Sequence, residues 1–394
     1  MFNIRLSKKD PLPVWKSLSI RIIAIILSLL VCALIIISVT DLNPFEVFGG
    51  IIDGALGTNR RVWVTIRDTL VLLLVAVALI PAFKMRFWNI GAEGQMLMGG
   101  LASAALMIYC ENIPNVILLP LIMIASCLAG LIWGIIPAYF KAKYNTNETL
   151  FTLMMNYIAM QLITFCIVFW ENPAGSNSVG VINPVSSAGW FPSVFGQRYG
   201  LNLIIVIVVT AAVAYYLKFT KHGYEINVVG ESWDTARYAG INVKKVIIRT
   251  MALSGAICGL SGCLVVSGAS HTISTSLGGG RGFTAIIVAW MSNFNTFAMV
   301  AISLLLSVMD NGAIQIASQF GLNENVSDIL TGIVIFFLIG SEFFIRYKIN
   351  FDKKHDNGEK VGTFDKNADK VKNADNVKLG DNDNKDDNKD EVTK

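Results

Sequence analysis

Residues 250–280 form a run of 31 without a single Lys, Arg, Asp or Glu. Only a bilayer or a very large core accommodates such a run, since about 20 apolar residues already cross the hydrocarbon layer. Nine further segments share the property. They are 22–39, 69–83 (extendable backwards through 62–66), 95–110, 112–140, 149–170, 199–217, two pieces of 282–309 split by Ser292-Asn293-Phe294-Asn295, and 329–341 continuing to Ile345. The pattern predicts an all-α polytopic membrane protein of about ten transmembrane helices, the eighth being short. Residues 351–394 differ, holding 10 Lys and 12 Asp/Glu, which leaves residues 1–350 only about 11% charged. A soluble domain carries about 25%. Two parts follow: a transmembrane domain, 1–350, and a charged, disordered tail, 351–394, too poor in apolar surface to offset its ordering entropy. Within the tail, 366–371 is nearly repeated by 372–377, as low-complexity drift produces.

Basic residues set the expected orientation, because Lys and Arg stay on the cytoplasmic side. With the N-terminus inside, 17 of the 22 Lys/Arg before residue 351 fall inside, and only Arg60, Arg61, Arg67, Arg198 and Arg281 fall outside. Both termini are therefore expected in the cytoplasm. The first apolar run is too long for a removable leader and lacks a small-residue cleavage pattern, so it reads as a retained anchor. The six cysteines sit in or beside spans without companion ligands, as apolar packing residues do. Metal binding is not expected. Glu93, Glu111, Glu148, Asp310, Asp328 and Glu342 read as span-end residues, which predicts an uncharged path for a small neutral solute rather than an ion route. No Gly-Lys dipeptide occurs, excluding a phosphate-cradling loop, so ATP would have to be bound by another chain.

Three irregular segments carry more information. Arg86–Gly100 (RFWNIGAEGQMLMGG) and Gly278–Phe283 (GGGRGF) interrupt the apolar pattern with glycines. Paired interruptions mark transporter cores, and here they fall on opposite faces of an inverted repeat made of spans 2–5 and 7–10. Two ordinary tight turns are the alternative. The connection 219–246 is too long for a turn. Its stretch Glu231–Ala239 suits a short helix, capped by Ser232 or Asp234 and ended by Gly240. Such a helix either docks into a soluble partner or lies solvated on the membrane face.

Four ordered blocks bring a family into view: NIGAEGQMLMGG at 89–100, NETLFTLMMNYIA at 147–159, GESWDTARYAGINV at 230–243 and GRGFTAIIVAW at 280–290. Together they resemble the permease subunits of bacterial ABC importers, in particular the nucleoside group related to ribose and other simple-sugar permeases. The resemblance covers about residues 20–346 and leaves the tail outside. It implies a multi-pass permease of the bacterial cytoplasmic membrane that is not itself an enzyme. The implied partners are a second homologous permease, a cytoplasmic ATPase using ATP and Mg, and an extracytoplasmic substrate-binding lipoprotein, with membrane lipid around the chain and no nucleic acid. The 230–243 block matches the segment gripped by the ATPase, so the coupling role passes to Gly230, Glu231, Ala236, Arg237, Tyr238, Ala239 and Gly240. Trp233 is bulkier than that pattern.

A nucleoside cargo calls for amide, hydroxyl, aromatic and thioether groups along the path. Thr152, Asn156, Met160 and Thr164 recur every fourth residue on one helical face, with Tyr157 and Gln161 beside them. Trp88, Asn89, Glu93 and Gln95 are the other candidates. Hydrogen bonding between helices is the competing role for these side chains. Ribose or another simple sugar is the nearest alternative cargo. A stand-alone secondary carrier, and a structural or signalling protein acting through its tail, are the more distant alternatives.

Overall fold

The computed structural model describes residues 3–8, 13–39, 43–194, 196–321 and 324–352. All but two of the tail residues, 353–394, lie outside the described residues. Two compact units are present. In one, β1 (Asn3–Lys8) pairs antiparallel with β2 (Tyr347–Asp352), Asn3 opposite Asp352 and Lys8 opposite Tyr347. β2 runs through position 350, the boundary expected from charge.

The other unit, Asp10–Arg346, is helical. Its elements are α1 (Val14–Val39), α2 (Pro44–Leu56), α3 (Asn59–Lys84), α4 (Ala92–Tyr109), α5 (Asn115–Tyr144), α6 (Glu148–Trp170), α7 (Gly200–Phe219), α8 (Lys221–Glu231), α9 (Trp233–Tyr238), α10 (Val243–Val265, prolonged by a π-helical turn at Val266–Ser270), α11 (Arg281–Met291), α12 (Thr296–Phe320) and α13 (Glu324–Arg346). Their starts follow from local chemistry. Asn43, Thr58, Asn147, Asn242 and Asn295 each accept a first-turn N–H through the side chain, satisfying donors that have no intrahelical partner.

Among the described residues, seven helices are long and apolar enough to cross a membrane: the apolar stretches of α1, α3, α5, α6, α7, α10 and α12. They match expected spans 1, 2, 4, 5, 6, 7 and 9. The remaining three correspond to α4, to the 11-residue α11 and to α13, whose apolar part is Ile329–Ile345. No charge-free window announced α2, whose Glu46 and Asp53 interrupt its apolar residues.

Burial separates the helices sharply. The apolar windows of α3 and α10 are 83% and 78% buried, against 22–39% for the other five long helices. These two therefore form the centre and need no polar face. α10 packs on α3, α4 and α5, while α3 packs on α10, α11 and α12. Exchanging α3 with α10, α4 with α11 and α5 with α12 maps one set of partners onto the other, as a repeat requires. The expected units, spans 2–5 and 7–10, correspond to α3–α6 and α10–α13.

Small residues let the backbones meet. A Cβ on Gly99 would run into the Gly259 backbone, and one on Gly130 would run into Gly255 and Gly259. This small-residue seam is how helices associate where lipid offers no hydrophobic drive. The 171–199 connection folds back on the π-helical turn, with Phe191 N–H donating to Ser267 O (3.0 Å) and Ile182 N–H to His271 O (2.8 Å). Trp190 stacks on the His271 ring at 3.8 Å and 7°.

Candidate functional site

The two glycine-rich interruptions, expected at opposite faces, meet inside the bundle. Glu93, in the first turn of α4, is buried and accepts from Gly280 N–H (3.0 Å) and Gly282 N–H (2.6 Å) at the start of α11. The reason is that α4 and α11 both begin in the interior, where a broken helix is tolerated only if other groups satisfy its backbone. For α4 those groups come from α6. Thr152 Oγ1 accepts from Ile90 N–H (3.2 Å), while Asn156 accepts from Gly94 N–H (2.8 Å) and donates to Ile90 O (2.9 Å). Asn89 completes the bracket, accepting from Gly91 N–H (3.0 Å) and bonding Gln95 and Ser254.

Beside this junction lies a cavity of about 420 Å³ lined by α3, α11, α12 and α13, with Arg67, Asp68, Arg281, Ser307, Asp310 and Asn311 among its walls. A second cavity of about 210 Å³ shares Arg67, Asp68 and Arg281 and reaches Ser270, Thr272 and Ser274. Asp68 is the hub. Its carboxylate accepts two bonds from Arg67 Nη2 (2.9 Å each), one from Arg281 Nη2 (2.9 Å) and one from Asn311 Nδ2 (3.2 Å). Asp68 is the tenth residue of α3, about 14 Å along that helix. The charged walls of this cavity differ from the uncharged lining expected of a path. Asp310 lies within α12 rather than at a span end, Glu93 stands in the first turn of α4, and Arg67 and Arg281 line the cavity, where a charge is retained when it has a partner. In the larger cavity two arginines face two aspartates, so its walls are balanced rather than uncharged.

The other sequence-selected residues separate. Trp88 is half-exposed and stacks on Trp290 at 5.2 Å and 15°, within a cluster including Phe83 and Phe294. Tyr157, Gln161 and Thr164 are exposed on α6 and Met160 is partly buried, none of them beside Asp68. The Arg67–Asp68–Arg281–Asn311 network escaped sequence reading. Its one signal was an Arg-Asp dipeptide immediately before a charge-free run.

The 219–246 connection contains two short helices rather than one. Ser232 caps α9 by accepting from Thr235 N–H (3.3 Å), and Gly240 takes the left-handed conformation (φ 74°) just beyond it. Gly230 is pressed against the Lys84 carbonyl at the C-terminal end of α3, where no Cβ fits. Ala236 is buried, whereas Glu231, Arg237, Ala239 and Gly240 are exposed, and Tyr238 is 95% exposed. Lys141 lies over the Trp233 ring (5.7 Å) and pairs with Glu148 (2.9 Å), so Trp233 faces the bundle. Two histidines outside the spans are held below their usual range. Burial, then Arg249, lowers His222, and burial, then Arg198, pushes His271 down to about 4.

Residues 64–339 match the model of the branched-chain amino acid transport system permease component. The chain belongs to that permease family. It is an ABC-type permease component and a multi-pass membrane protein. The guanosine ABC transporter permease of Bacillus subtilis (strain 168) is 30% identical over 86% of this chain and 97% of its own length. A nucleoside ABC transporter permease of Lactococcus lactis subsp. cremoris (strain MG1363) is 29% identical over 81% of this chain and 90% of its own. The glucose ABC transporter permease of Haloferax volcanii is 27% identical over 92% and 98%. No solved structure matches the chain. In this chain, the α3–α11–α12 cavity and the α8–α9 segment gather polar and charged side chains.

Proposed function

We propose that this permease imports nucleosides through the path that includes the Asp68 cavity. The full-length similarity to nucleoside and guanosine permeases carries the reading. A pocket of about 420 Å³ is within the usual size for a small solute, and its balanced Arg, Asp, Asn and Ser walls offer both donors and acceptors to ribose hydroxyls. Cargo arrives from an extracytoplasmic binding lipoprotein. A second homologous permease completes the path, and a cytoplasmic ATPase drives it with ATP and Mg. In this reading the ATPase grips the 230–240 segment. Gly230 seated on the end of α3 gives that grip a rigid lever to Asp68 at the cavity. In this reading both termini lie on the cytoplasmic side of the bacterial cytoplasmic membrane, and the antiparallel pairing of β1 with β2 is consistent with residues 3–8 and 347–352 sharing one side.

Sugar import is the second reading, favoured by the glucose permease of comparable similarity. Uptake of labelled guanosine, uridine and glucose in cells lacking this chain and in complemented cells separates the two. Nucleoside uptake restored by the chain supports the proposal, whereas restoration of glucose uptake alone refutes it.

A further inference from the structure

Glu93 is a buried carboxylate without an ion pair to Lys or Arg among the described residues. Its compensation comes from a helix end instead. The first N–H groups of α11 have no intrahelical acceptor and carry the positive end of the helix dipole, and both Glu93 oxygens receive one of them. The geometry is specific to the repeat. α4 and α11 start from glycine caps, Gly91 and Gly280, and the second helical residue is Glu93 in one and Gly282 in the other. A Cβ at Gly278 or Gly282 would collide with Glu93, so glycines clear the space that its side chain fills. On the opposite side of the same turn, Arg281, the first residue of α11, reaches Asp68 at 2.9 Å. The first turn of α11 is therefore held from two directions, its backbone by α4 and its side chain by α3.

We infer that Glu93 is a positioning residue that fixes the start of α11 so that Arg281 closes on Asp68 at the cavity wall. This rests on the import reading above. Glu93→Gln keeps the size but turns an amide N–H₂ towards a backbone N–H, losing one of the two bonds and the charge. The test uses the complete importer with its binding protein and ATPase, measuring nucleoside uptake, ATPase activity and the amount of permease in the membrane. Glu93→Gln is expected to lower uptake at least tenfold while its membrane level and basal ATPase activity persist, and Glu93→Asp, which keeps the charge, is expected to retain more. The decisive readout is a double-mutant cycle with Arg281→Lys. Because Glu93 acts through Arg281, the double variant is expected to transport no worse than the more impaired single variant. Additive losses, or wild-type uptake by Glu93→Gln, overturn the inference. If Glu93→Gln is lost from the membrane, the cycle is run with Glu93→Asp and judged the same way. A wild-type importer that moves no nucleoside overturns the import reading instead, and the positioning role with it.

Discussion

Replacing Asp68 by Asn tests the cavity network most directly. The carboxylate receives bonds from two guanidiniums and one amide, and is itself buried, while the Arg67 and Arg281 side chains are 24% and 29% exposed. Asn keeps the volume but offers one acceptor oxygen and no charge, so one arginine loses its partner and the two cations face each other. A hydrogen bond to a charged group contributes roughly 1.5–3 kcal/mol. Breaking a fully buried pair costs about 3–5 kcal/mol, which partial exposure of the arginines reduces here. A loss of about 3 kcal/mol is the working figure, on the order of a hundredfold in uptake rate if the whole cost falls on the transport cycle. The assay is initial-rate nucleoside uptake across a concentration series, normalised to permease in the membrane. Uptake within twofold of wild type at normal abundance would refute the reasoning, because it would mean that the network contributes nothing to the working path.

Gly130→Ala drives a methyl group into the α10 backbone at Gly255 and is expected to destabilise the permease by about 1–3 kcal/mol, seen as an earlier melting transition in detergent. Tyr238→Ala removes the most exposed aromatic of the α8–α9 segment and is expected to reduce ATPase binding in a pull-down with little change in permease stability, since Tyr238 is 95% exposed. His271 is held at about 4, below its ordinary 6.5, so the neutral form is the folded one. The stabilisation is complete above about pH 6.5 and is lost as pH falls through about 4. Protease cleavage in 171–199 is therefore expected to rise over that window in wild type and to stay flat in His271→Phe.

How much of this was legible in the sequence depends on what carried the information. Charge-free windows located the long helices, because lipid excludes charge wherever the chain crosses it. Local rules also offered Ser232 or Asp234 as the cap and Gly240 as the end of a short helix, and the structure selects Ser232 with Gly240 just beyond α9, since capping is decided within four residues. Asp68 and Arg281, 213 positions apart, left no local trace of their pairing. α2 was missed for a related reason: its Gly54 lies against Gly312 and Gln315 of α12, a long-range contact that periodicity cannot report. Thr152 and Asn156 stood out as polar residues on one helical face. Whether such residues face a solute or a broken backbone is decided by where α4 begins.

The exchange of partners between the repeats bears on how the chain is made. α3 is buried by helices synthesised much later, and the Asn311–Asp68 bond spans 243 positions. At about 5–20 residues per second, synthesis leaves the Arg67–Asp68 pair waiting roughly 12–50 s for its last protein partners. During that interval an ion pair destined for the interior sits in a half-built bundle. A chain ending before α12 would leave Asp68 without its Asn311 partner.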